Sequence, residues 1–220
     1  MRSPLNISQF TILLFIVLGL LGAAPNQAIA NNSINLKLSA TSQKDDPELA
    51  EALQLTEKAI ALYALGKYVE ATPLAERALT LREKVLGANH ADVAQSLNNL
   101  ALIYYAQGQY PPVEALYQRA LAILERLGIE DLSFSNILNN LALLYQQQGK
   151  YSQAETTFQR SLAIEEKFLG ANHPEIATTL NNLASLYRNQ GKYAQAETLY
   201  QRALVIIEKA QGSEHSDLAI

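Results

Sequence analysis

The chain contains no cysteine. That excludes disulfides, thiolate nucleophiles and thiolate metal sites; an oxidising compartment is compatible with the absence but not required by it. Charge is scarce and nearly balanced, with 17 basic against 21 acidic side chains, a formal −4, and three histidines that leave the balance unchanged near neutrality. Phosphate binding draws on a basic stripe that releases counterions, and no such stripe is present, so nucleic acid is not expected as a partner. No five like charges run together, which leaves out a charged tail. The patterns GxxxxGK(S/T), GxSxG and HExxH are missing as well. No catalytic residues, metal or cofactor are therefore expected. What the chain does have is apolar surface, at 49% hydrophobic residues over 220 positions.

The first thirty residues read as an address. Arg2 supplies a positive start, and Phe10 to Leu21 is an uncharged apolar run of about a dozen residues, short of the roughly 20 that span a bilayer as a helix. Ala28-Ile29-Ala30 has the small-x-small form of a signal-peptide cleavage site. Residues 1–30 are thus expected to be a signal peptide, and the mature chain to be exported with no integral span. The alternative is an uncleaved membrane anchor over Phe10 to Ala24. Residues 31–45 are polar and rich in Asn and Ser, and read as a flexible leader.

Beyond the leader the chain repeats itself. Gly66-Lys67-Tyr68, Gly108-Gln109-Tyr110, Gly149-Lys150-Tyr151 and Gly191-Lys192-Tyr193 recur at spacings of 42, 41 and 42 residues. Eleven residues before the last three glycines stand Leu97-Asn98-Asn99-Leu100-Ala101, Leu138-Asn139-Asn140-Leu141-Ala142 and Leu180-Asn181-Asn182-Leu183-Ala184. Downstream come Arg77-Ala78-Leu79, Arg119-Ala120-Leu121, Arg160-Ser161-Leu162 and Arg202-Ala203-Leu204. Three blocks held in register define units over 46–90, 91–131, 132–173 and 174–215.

Each unit reads as two helices. Val93, Leu97, Leu100, Ala101 and Tyr104 make one apolar stripe, and Gly108 ends that helix in the left-handed conformation glycine adopts freely. The second helix places Val113, Tyr117, Ala120 and Leu121 on its own stripe, matched by Ala154, Phe158, Ser161 and Leu162, then by Ala196, Tyr200, Ala203 and Leu204. A single hairpin cannot bury both stripes, so neighbours must stack. The expected fold is all-α, a right-handed superhelical solenoid of antiparallel helix pairs over residues 46–215. Pro73 is expected to kink the first unit's second helix slightly, and Pro174 to occupy a first helical turn. Residues 216–220 look like the opening of an incomplete fifth unit, leaving Tyr200, Leu204 and Ile207 on an uncovered face through which the chain could self-associate.

These blocks resemble tetratricopeptide repeats, in the 42-residue form of kinesin light chains and many bacterial proteins. The resemblance covers residues 50 to 220, with Leu180 to Ile206 as its matching core. The first unit departs from it, with Leu55-Thr56-Glu57-Lys58-Ala59 in place of LNNLA, as suits an end repeat with one solvated face. It implies a non-catalytic scaffold that binds a protein or extended peptide. It also admits an alternative, the recognition arm of a larger protein with a caspase-like CHAT domain; the uncovered end face gives another, a self-assembling structural protein.

Rotation by 100° per residue puts Gln95, Asn98, Asn99, Leu102, Tyr105 and Ala106 opposite the first-helix stripe, on the expected concave wall. The third unit supplies Asn136, Asn139, Asn140, Leu143, Gln146 and Gln147, and the fourth Thr178, Asn181, Asn182, Ser185, Arg188 and Asn189. In the resembled family concave asparagines contact peptide backbones, which implies that role for the Asn pairs here, with Leu102, Tyr105 and Leu143 as apolar anchors. The alternative is that at least one Asn of each pair bonds the neighbouring repeat instead. Arg188 alone does not supply the several cations of a carboxylate clamp. The recurring His90, His173 and His215 lie too far apart to converge on a metal and read as capping or packing residues.

Overall fold

The computed structural model describes residues 46–216, with side chains over 46–210. The expected signal segment, the leader and residues 217–220 lie outside the described residues. Eight α-helices fill the described chain, in one compact unit: α1 (Pro47–Ala64), α2 (Tyr68–Leu86), α3 (Ala91–Ala106), α4 (Pro111–Arg126), α5 (Leu132–Gln147), α6 (Tyr151–Leu169), α7 (Ile176–Asn189) and α8 (Tyr193–Ser216). Each helix packs most heavily on its neighbours in sequence, first within a hairpin and then between hairpins. More sparsely, the first helices of adjacent hairpins also touch, α1 with α3, α3 with α5 and α5 with α7. Contacts that pass from one unit to the next make a superhelical repeat fold, all-α as expected.

The turns follow from glycine. Gly108 has φ 74°, and around it Gln109 N donates to Tyr104 O while Gly108 N donates to Tyr105 O, both at 2.9 Å. That pair of bonds satisfies the last carbonyls of α3 and turns the chain into α4. The expected stripes are the core. Val93, Leu97, Leu100 and Ala101 are buried, and Tyr117 and Phe158 are fully buried between hairpins. Tyr104 is only half-buried, and its hydroxyl donates to Glu76 of the preceding unit.

Of the repeated histidines, His90 caps α3, His173 caps the turn that leads into α7, and position 215 lies within α8 instead of at a helix start. His90 Nδ1 accepts from Asp92 N at 3.2 Å and His173 Nδ1 from Glu175 N at 3.3 Å. Asp131 does the same work in the third unit, its Oδ1 accepting from Ser133 N at 2.9 Å and from Phe134 N at 3.3 Å. One expectation at a helix end needs correction. Pro174 lies ahead of α7, in a tight turn whose i→i+3 bonds run from Ile176 N to His173 O and from Ala177 N to Pro174 O. Gly212 does not break the last unit as Gly87 and Gly170 break theirs, because α8 continues through it to Ser216. Pro73 does sit inside α2. The carbonyl of Tyr68 in that helix's first turn takes a bond from Gln107 Nε2 of the next unit, at 3.0 Å.

Candidate functional site

A first helix in this array has three occupied sides: its own hairpin partner and the first helices before and after it. Only a strip between them stays open. On α3, α5 and α7 that strip falls at three register positions: Gln95, Asn136 and Thr178; then Leu143 and Ser185; then Ala106, Gln147 and Asn189, all half-buried or exposed. Leu102 belongs to the second row but is buried against the first unit. Arg188 is exposed at the fourth unit's end of the strip. The open wall is neutral apart from this guanidinium and offers amides, hydroxyls and one leucine.

Seven of the ten residues expected on the wall lie beneath it instead. Asn98, Asn99, Leu102, Tyr105, Asn139, Asn140 and Asn182 are buried, whereas Leu143 and Asn181 are half-buried and Arg188 is exposed. The reason is the close approach of successive first helices. Asn140 Nδ2 donates to Asn98 Oδ1 at 3.1 Å, and Asn182 Nδ2 donates to Asn139 Oδ1 at 3.2 Å. The second Asn of each pair thus reaches back to the first Asn of the pair before it, forming an amide ladder through the stack. Asn99 Oδ1 accepts from Gln95 Nε2 within its own helix, at 3.1 Å. Tyr105 packs edge-on against Tyr110, ring centres 5.4 Å apart, and burial pushes its phenol up to about 12. Positions opposite one stripe stay open only where no neighbour covers them, and here first helices lie on both flanks.

The ladder stops at the first unit, where Thr56 stands in place of an Asn and its hydroxyl donates to Ala52 O at 2.8 Å. Beside it lies a small void of about 10 Å³, lined by Thr56, Ala59, Tyr63, Ser96, Asn99 and Leu102 among others. At the other face of the array the second helices are joined by ion pairs in register. Arg119 meets Glu83 at 2.6 Å, Arg160 meets Glu125 at 3.0 Å, and Arg202 meets Glu166 at 2.7 Å. Lys150 meets Glu114 at 3.0 Å and Lys192 meets Glu155 at 3.1 Å. Two of the turn lysines are thus held by a glutamate of the preceding unit. These pairs are largely solvent-exposed, so each contributes little to stability.

Two buried charges escaped the sequence reading. Arg82 and Glu165 occupy the same register, five residues after the repeated arginine, where the other two units carry Leu124 and Ile207. Arg82 donates to Ser96 Oγ at 2.5 Å; burial lowers its pKa, and Asp92 across the junction opposes that shift. The signal was available, since a charged residue at an otherwise apolar register position is visible in the alignment of the units. Among the described residues no three His, Asp or Glu side chains gather as a metal site, and no helix is long and apolar enough to cross a membrane.

Hairpins that stack in register through a buried ladder define a helical-repeat scaffold. The family model described as "Tetratricopeptide repeat" matches residues 43–126, 133–209 and 175–220, and the chain belongs to that family. Solved structures agree on the fold. BtubC (BKLC) from P. vanneervenii has a TM-score of 0.68 at 22% identity, over 94% of this chain and 81% of that one. A putative kinesin light chain from Podosopora anserina with nearly identical repeats gives 0.63 at 24%, over 90% of this chain and 93% of that one. The apo form of RapI gives 0.65 at 17%, over 94% and 73%. No curated protein matches the chain.

Proposed function

We propose that the chain is an exported, non-catalytic scaffold that takes an extended segment of another protein along the open strip of its first helices. The observation that carries this reading is the set of rows Gln95–Asn136–Thr178 and Ala106–Gln147–Asn189, repeated at the spacing of the units and flanking Leu143. Amide side chains offer both donors and acceptors to a peptide backbone. Each such bond contributes only about 1 kcal/mol, so affinity depends on several units acting together and on the apolar contact at Leu143. The near-neutral wall suits a segment without strong net charge, and Arg188 favours an acidic or carbonyl-rich group at the fourth unit. Export rests on the signal-like residues 1–30 alone.

The test is peptide display against the full chain, followed by variants. Peptides that bind wild type should lose affinity at least tenfold on Leu143→Glu and be unaffected by Phe168→Ser, which changes an exposed phenylalanine on a second helix. The reverse pattern would place recognition on the other face.

A second reading, self-association through the fourth unit, has one observation in its favour. Tyr200 is half-buried where its register mates Tyr117 and Phe158 are fully buried. Concentration-dependent oligomers abolished by Leu204→Glu would support it, and a monomer at all concentrations would remove it.

A further inference from the structure

Glu165 on α6 is 7% exposed and sits where α5, α6 and α7 meet. Its Oε1 accepts from Ser135 Oγ at 2.8 Å, from Thr179 Oγ1 at 3.0 Å and from Ser161 Oγ at 3.5 Å. Its Oε2 is buried with no hydrogen-bond partner, and among the described residues no cation pairs with this carboxyl. The surroundings have been altered to receive it. Ser135 replaces the alanine found at this register as Ala52, Ala94 and Ala177, and Ser161 replaces Ala78, Ala120 and Ala203. Thr179 stands where the second-to-third junction has Ile137 opposite Leu124. Two alanine positions of the repeat thus become serines in the third unit, and Thr179 of the fourth, at the register where Ser96 meets Arg82, joins them on one carboxyl.

We propose that this cluster makes the junction between the third and fourth units a proton-dependent latch, with Glu165 neutral in the tightly closed state. The three hydroxyls have few protons to give. Ser161 Oγ also donates to Ser135 O at 3.0 Å, and Ser135 Oγ lies 3.3 Å from Ser161 O, so both serines divide their single protons between α5–α6 cross-links and the carboxyl. A carboxylate there has one partnerless oxygen and no counter-ion, which burial penalises; a carboxylic acid removes the charge. The charged group that acts on it across the junction is Glu175, ahead of α7, and its like charge works in the same direction. On α5 and α7 the facing groups are the hydroxyls already named. At the first junction the same register holds Arg82, which stays charged at any physiological pH, so the latch is confined to the junction of the third and fourth units.

The sign follows from the raised carboxyl. Closure is favoured below the ordinary glutamate value of about 4.3 and is progressively lost as pH rises through the higher value of the folded state. Since α7 carries Thr178, Ser185 and Asn189, the latch also governs how firmly the fourth unit's part of the wall is held.

The experiment compares thermal midpoints of the full chain and of Glu165→Gln from pH 4 to pH 8. The amide keeps the shape and stays neutral, so its advantage over wild type should grow steadily with pH. A constant difference across the range would overturn the proposal. Independently of the variant's folding, the Glu165 carboxyl can be followed in wild type by ¹³C NMR with labelled glutamate. A midpoint above the ordinary value supports the latch, and one at or below it overturns it.

Discussion

Asn182→Ala separates the structural ladder from the ligand wall. Asn139 is 0% exposed; its Oδ1 accepts from Asn182 Nδ2, and its own Nδ2 already lacks a partner. Truncating Asn182 therefore leaves both polar atoms of Asn139 unmet in the interior. At about 1–3 kcal/mol for each newly stranded buried group, plus the lost packing, the cost is about 2–3 kcal/mol. In a chain of this size each kcal/mol moves the midpoint by roughly 2–4 °C, so Tm should fall by roughly 5–10 °C. Asn139→Leu behaves differently. It removes the unmet Nδ2 and strands only the amide of Asn182, which at 8% exposure retains some access to water. Its cost should stay below about 1 kcal/mol. The double variant should lie close to Asn139→Leu, because the interaction is lost only once. Circular dichroism at 222 nm reads all four proteins. Equal losses for the two single variants would refute the ladder argument. So would an unchanged Tm for Asn182→Ala combined with lost partner binding, which would return the asparagines to the wall.

Four further outcomes follow. Thr56→Asn should raise Tm by a few degrees, because the amide can reach Asn99 and fill the adjoining void; a fall would show that the first unit cannot join the ladder. Phe158→Ala removes a fully buried ring between hairpins and should cost about 3–5 kcal/mol by urea denaturation. Gly108→Ala should cost about 1 kcal/mol from the positive φ alone, since an added Cβ would meet nothing within 4 Å; a loss beyond about 3 kcal/mol would mean that packing is also disturbed. In alkaline titration at 295 nm, Tyr63 and Tyr105 should remain protonated until about pH 12, both held up chiefly by burial. Because these folded values are raised, the associated stability is complete below about pH 10 and is lost as pH climbs toward 12.

Much of the fold was legible because its signals are local and repeated. Gly108, the Asn-Asn blocks and the Tyr117–Phe158–Tyr200 series each state the same structural requirement several times over. The capping bonds of His90 at α3 and of His173 in the turn before α7 could be read for the same reason. The wall was harder. Asn98 and Asn140 stand one register position apart on successive first helices, and whether such residues face solvent or one another depends on the spacing of those helices, which a single helix's periodicity does not contain. Arg82 and Glu165 were missed for the opposite reason, since each breaks the repeat and a search for likeness passes over it. The end of α8 ran against the repeat too: Gly212 resembles Gly170 in sequence, yet its helix continues to Ser216.

The central claim is that recognition occurs on the open strip of α3, α5 and α7 while the asparagine ladder beneath holds the stack. The most direct measurement is site-specific photocrosslinking of a display-selected peptide, with the photoreactive residue placed at Leu143 in one protein and at Phe168 in another. Crosslinking from position 143 and none from 168 is the predicted result. A crosslink from 168 with none from 143 would contradict the claim.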